Sequence, residues 1–84
     1  MKFTVEVRQL VEVELDATKF DGKFMEEFRE SFFPFFEISE HAEHIAQLEA
    51  REILDPKFTE GYGPLAEMGI KAAVVLFETE VLRS

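Results

Sequence analysis

Residues 24–36, FMEEFRESFFPFF, place six phenylalanines and three glutamates in thirteen positions. At 100° per residue, Phe24, Met25, Phe28 and Phe32 fall on one helical stripe with the preceding Phe20. Lys23, Glu26, Glu27 and Glu30 occupy the opposite arc. Pro34 cannot continue a helix and pushes Phe33 toward extended geometry. The helix is therefore expected to end near Phe33, with Phe35 and Phe36 folding back onto the core. At its other end, Thr18 and Asp21 resemble a capping box, and Asp21 is equally a candidate N-cap.

Upstream, residues 2–15, KFTVEVRQLVEVEL, alternate with period two. Phe3, Val5, Val7, Val11, Val13 and Leu15 share one face, and Thr4, Glu6, Arg8, Glu12 and Glu14 the other, which is the pattern of a half-buried strand. Gln9 falls on the apolar side and Leu10 on the polar one. Arg8-Gln9 lacks the Gly or Asn of a tight hairpin, so one strand bent near Gln9 is favoured over a hairpin.

Downstream, Ser39 reads as an N-cap with Glu40 in the first turn. A second helix follows over EHAEHIAQLEAREI, residues 40–53, and Asp55-Pro56 stops it. In TEGYGPLAEMG, Pro64 suits a first helical position and Gly69 a C-cap. Residues 70–82, IKAAVVLFETEVL, close the chain as a strand. Ala73, Val75, Phe77 and Val81 lie on its expected inner face, and Ile70, Ala72, Val74 and Leu76 on its outer one.

The expected fold class is therefore α+β. A small antiparallel sheet of two or three strands, in the order β-α-α-β, carries two helices on one face in a single domain over residues 1–84. The phenylalanine stripe is expected to cover Val5, Val7, Val11, Val75 and Phe77, with Phe3, Phe20, Phe24, Phe28, Phe32 and Phe77 in the core.

Catalytic chemistry finds little support. There is no cysteine, which removes Cys-based metal sites and disulfides. Ser31, Ser39 and Ser84 sit at a helix position, a cap and the last residue. His41 and His44, with Glu40 and Glu43, make a poor metal set from one helical turn, and read as half-exposed polar residues. EGYGPLAEMG has glycines but neither a dinucleotide fingerprint nor a Walker lysine, and Tyr62 is expected to lie at the domain edge. Acid–base work by paired carboxylates would need a pocket, for which 84 residues leave little room. No cofactor, metal or enzymatic activity is expected. No apolar run approaches a membrane span.

The charge is informative. Nine Lys and Arg stand against eighteen Asp and Glu, a net −9. Such a field repels nucleic acid and anionic membrane and attracts basic protein surfaces. Glu26, Glu27 and Glu30, then Glu37, Glu40 and Glu43, face one base, Arg29. A second group, Glu6, Glu78 and Glu80, gathers on the outer sheet face if the terminal strands pair antiparallel. Like charges at such spacing are unfavourable in helices and sheets. Rows of carboxylates could keep the protein soluble, or imitate phosphates before the Lys and Arg of a nucleic-acid-binding protein.

The stretches MKFTVEV, HAEHIAQLEAR and EGYGPLAEMGI, together 29 of the 84 residues, resemble those of a family of small acidic proteins from proteobacterial phages and mobile elements. That family includes anti-CRISPR proteins directed at type I-C systems. The resemblance implies a virus-encoded inhibitor acting in the cytoplasm of a bacterial host. It would bind the Cascade surveillance complex at its basic PAM-reading surface and block target DNA. It assigns no individual site residue. The alternative is a structural or assembly module that forms a homodimer or larger oligomer through the outer face of the C-terminal strand, where Leu10, Ile70, Val74 and Leu76 would form an uncovered apolar patch.

Overall fold

The structure, a computed structural model, describes residues 1–83. Two long strands, β1 (Thr4–Glu14) and β2 (Lys71–Arg83), bracket two helices, α1 (Gly22–Ser31) and α2 (Ile38–Ala50). The strands pair antiparallel as a two-stranded sheet. The order β-α-α-β and the α+β class are as expected, and β1 runs unbroken through Gln9.

Each helix begins where the chemistry of its cap dictates. The Asp21 carboxylate accepts from the Phe24 N–H at 2.8 Å, starting α1. Asp16 does the same for a 3₁₀ turn at Ala17–Lys19 through the Thr18 N–H at 3.0 Å. α1 ends at Ser31, two residues before the expected end near Phe33. α2 starts at Ile38 with Glu37 as its cap, rather than after Ser39. The Glu40 carboxylate explains the shift. It reaches back to accept from the N–H groups of Phe36 and Glu37, at 2.9 and 3.1 Å. α2 also stops at Ala50, before the expected Ile53. Glu52 adopts φ 59°, its N–H bonds the Glu49 carbonyl at 2.9 Å, and the Ile53 N–H bonds the Leu48 carbonyl at 3.0 Å. That is a Schellman ending with glutamate where glycine is usual.

The core is an aromatic cluster. Phe20, Met25, Phe28, Ile45, Tyr62, Leu65 and Ile70 are buried, with Val13, Leu15, Phe24, Phe35, Leu54, Met68 and Ala72 packed against them. The α1 stripe does not cover the sheet as expected. Its rings meet His41 and Tyr62, while α2 carries the main helix contact with both strands. Of the expected core, Phe20 and Phe28 are buried and Phe24 is half-buried, but Phe3, Phe32 and Phe77 are exposed. Phe32 is the C-cap of α1, where the backbone leaves the helical path and takes the ring off the stripe.

The register explains the strand residues. Opposed pairs run Val5↔Val81, Glu6↔Glu80, Val7↔Thr79, Arg8↔Glu78, Gln9↔Phe77 and Leu10↔Leu76, then jump to Val11↔Val74, Glu12↔Ala73 and Val13↔Ala72. Val75 is the extra residue of a β-bulge on β2. Because opposed residues share a face, the bulge inverts the facing of β2 halfway along. Ile70, Ala72 and Val74 therefore join Val11, Val13 and Leu15 on the inner face, with Ile70 buried. The outer patch expected from Leu10, Ile70, Val74 and Leu76 is reduced to the opposed pair Leu10 and Leu76. Of the residues placed on the inner face, Ala73 lies opposite Glu12 on the outer one. Phe77 and Val81 stay on the inner side but lie in the half of the ribbon that no helix covers.

Phe28→Ala should cost about 3–5 kcal/mol in a denaturant melt, since its ring is buried at the centre of the cluster. Phe58→Ala, with the ring exposed, should cost less than 1 kcal/mol, about the range of a surface change.

Glu52→Gly should stabilise the protein by about 0.5–1 kcal/mol, because it relieves a left-handed glutamate at a helix end. The same melt reads it.

Candidate partner-binding surface

The acids form two separate groups. In the first, Glu26, Glu27 and Glu30 are exposed on α1, on the side away from buried Met25 and Phe28. Glu37 and Glu43 are exposed at the cap and in the body of α2. Glu40 is half-buried, and its two backbone hydrogen bonds hold its carboxyl below the usual range. Its carboxylate is thus occupied in starting α2. Arg29, the one base of this segment, does not answer the acids. Its guanidinium lies over the Phe36 ring at 4.7 Å and donates to the Phe35 carbonyl at 3.3 Å, pinning the segment after Pro34.

The second group is assembled by strand pairing. Glu6 opposes Glu80, Arg8 opposes Glu78, and the four side chains line one shallow depression on the outer face. Arg8 Nε donates to Glu6 Oε1, which leaves Glu78 and Glu80 without a cation. This is the one ion pair among the described residues. Among the described residues, then, Glu6 is the one acid of the eighteen in an ion pair.

His44 is half-exposed as expected, but His41 departs from expectation. His41 is fully buried rather than half-exposed. Its ring is surrounded by Phe20, Phe24, Phe28, Phe35 and Tyr62, with centroids between 4.6 and 5.7 Å away. His41 Nδ1 and the Tyr62 hydroxyl are 2.9 Å apart, and Nε2 has no hydrogen-bond partner. Tyr62 thus occupies the core, not the domain edge, and burial raises its pKa. Burial pushes the His41 pKa down to about 4, aided by the neighbouring His44 and opposed by Glu40. Protonated, the ring would carry N–H on both nitrogens, and the Nε2–H would have no acceptor among the described residues. His44 is half-buried beside the Phe33 ring at 5.1 Å, and its pKa is lowered by burial and then by Arg51. No group of three His, Asp or Glu side chains among the described residues is placed to hold a metal ion.

A chain of 84 residues was expected to leave little room for a pocket, yet the fold has a cleft of about 490 Å³. Phe32, Phe33, Leu48, Ile53 and Phe58 form much of its wall, and Ser31, His44, Thr59 and Glu60 supply its polar groups. Three rings that stay outside the core, Phe32, Phe33 and Phe58, help to make this cleft beside buried Phe28. No helix among the described residues is long and apolar enough to cross a membrane. The chain matches no family model, no curated protein and no solved structure with which it was compared.

Because His41 is neutral when buried but protonates near its ordinary 6.5 when unfolded, the unfolded state binds more protons between those values. Stability should be complete above pH 6.5 and fall toward pH 4, by up to about 1.4 kcal/mol per pH unit. Glu40, lowered by backbone hydrogen bonds, and Asp16, lowered by the Thr18 hydroxyl and then the Thr18 N–H, add a further loss below their ordinary range. His41→Gln, which keeps a partner for the phenol but takes up no proton, should flatten the upper part of the profile in urea melts across pH.

Proposed function

We propose that this protein is a non-catalytic inhibitor that binds a basic, nucleic-acid-binding surface of a partner protein and occludes it by presenting carboxylates in place of phosphates. The partner suggested by the sequence resemblance is the type I-C Cascade at its PAM-reading region, met in the cytoplasm of a bacterial host. The observation that carries the reading is the lack of answering cations: net −9, eighteen acids, and one ion pair among the described residues. A solvated face normally mixes signs. Here Arg29 is turned to a ring and a carbonyl, which leaves Lys23 as the one base on the arc of the α1 acids. Contact with Lys and Arg would relieve the like-charge repulsion within each group.

The helix group offers the broader field, and the sheet group the more closely gathered one. Both would steer a basic partner to rapid association at low salt.

A gel shift of type I-C Cascade on target DNA, titrated with the protein, tests this. The parent should abolish the shift, and less effectively as salt rises. Gln at Glu26, Glu27, Glu30, Glu37 and Glu43 together should slow association with Cascade by about tenfold or more and restore the shift. Gln at Glu6, Glu78 and Glu80 should do so less. Glu40 is left in place because its substitution would weaken the start of α2. If both neutralised proteins inhibit as well as the parent, phosphate mimicry is excluded.

A further inference from the structure

The molecule measures 51 × 23 × 19 Å with a radius of gyration of 15.6 Å, against about 12 Å for a compact chain of this length. The elongation comes from the β1–β2 ribbon, which runs past the helices to the chain ends. Its inner face there consists of Val5, Val7, Gln9, Phe77, Thr79 and Val81. The apolar members are exposed: Val5 by 46%, Val7 by 59%, Phe77 by 61% and Val81 by 59%. This surface continues, without a break in β1, the face that α2 covers farther along. A two-stranded ribbon standing alone in water is marginal. It needs a cover.

We infer that the cover is a second copy of this chain, stacked inner face to inner face over the distal ribbon in a two-fold dimer. Three observations choose this occupant. The first is area. The accessible surface is 6350 Å², where a compact 9.7 kDa protein exposes about 5,100 Å². The excess of roughly 1,200 Å² meets the roughly 800 Å² per partner that a standard interface buries. The second is charge. The face carries no ionisable group, so it gives a basic partner nothing to recognise, yet it suits an identical neutral face related by a two-fold axis. The third is the placement of the acids. Glu6, Glu78 and Glu80 lie on the reverse of the same ribbon, opposite Glu80, Arg8 and Glu6 respectively. Stacking the inner faces puts both acidic groups outside, where repulsion between two chains of −9 is least. Stacking the outer faces through Leu10 and Leu76 would press those groups together. The dimer does not depend on the proposed inhibitory function.

Sedimentation of the full chain across a micromolar dilution series tests the inference. The parent should sediment at twice the 9.7 kDa of the chain and dissociate reversibly on dilution, and its melting temperature should rise with concentration. Because contact is apolar between like-charged chains, added salt should tighten the dimer, the reverse of its expected effect on a basic partner. Val7→Asp and Phe77→Asp should each weaken it by about tenfold or more, since each places two unpaired carboxylates in the interface. Leu10→Asp, on the outer face, should leave it unchanged. The near-ultraviolet signal of Tyr62 checks that each variant keeps its core. A parent that is monomeric at every concentration overturns the proposal. So does a dimer that salt dissociates, or one that Leu10→Asp breaks and Phe77→Asp does not.

Discussion

The contact between His41 and Tyr62 holds the two halves of the chain together. A histidine with no exposed surface can be kept inside only if it is neutral and has a hydrogen-bond partner. The Tyr62 hydroxyl is that partner at 2.9 Å, and it arrives from a loop 21 residues further on. That loop must turn tightly to deliver it. The Thr59 N–H bonds the Gly63 carbonyl at 3.0 Å, and Gly61 adopts φ +92°. A Cβ on Gly61 would lie 2.6 Å from the Phe28 ring, so the turn sits directly on the ring that also packs edge-on against His41 at 4.6 Å. α1, α2 and the loop are therefore fastened at one point. Arg29 adds Phe35 to the same cluster by pinning its carbonyl.

Concentrating the rings there has a structural consequence. A chain of 84 residues has only enough apolar material for one well-packed head. The head uses the proximal halves of the strands, through Val13, Leu15, Ile70 and Ala72, and leaves the distal halves bare. The ribbon thus presents two chemically opposite sides, one apolar and uncharged, the other carrying Glu6, Glu78 and Glu80. An apolar contact and an electrostatic one can be made at the same time because they lie back to back.

Much of this was legible in sequence because it is encoded locally. Period-two alternation gave both strands, and the spacing of Phe20, Phe24 and Phe28 gave the phase of α1. Asp21 as a cap, Pro34 as a stop and Gly69 in the left-handed region at φ 63° follow from backbone sterics that the residues carry with them. The exposed glutamates of α1 follow from the same helical phase, and the meeting of Glu6 with Glu80 required only that the terminal strands pair. The ends of α2 were less legible. Glu40 caps from inside the helix, and Glu52 stands where glycine would have announced the turn.

What tertiary structure alone decided is nonlocal. The facing of β2 depends on one extra residue, Val75. Nothing in a run of Ala72 to Leu76 that is apolar on both faces marks which position will bulge, and the choice moves Ile70 inward and Ala73 outward. The burial of His41 depends on Tyr62, and no spacing rule relates a histidine to a tyrosine across an intervening loop. Which rings enter the core was likewise settled by tertiary placement: Phe20 and Phe28 fill it with Tyr62, Phe32 leaves it where α1 ends, and Phe3 and Phe77 stay exposed on the strands' distal side. Sequence fixed the elements, their order and their charge, because these depend on neighbours along the chain. Only packing could assign the partners across it.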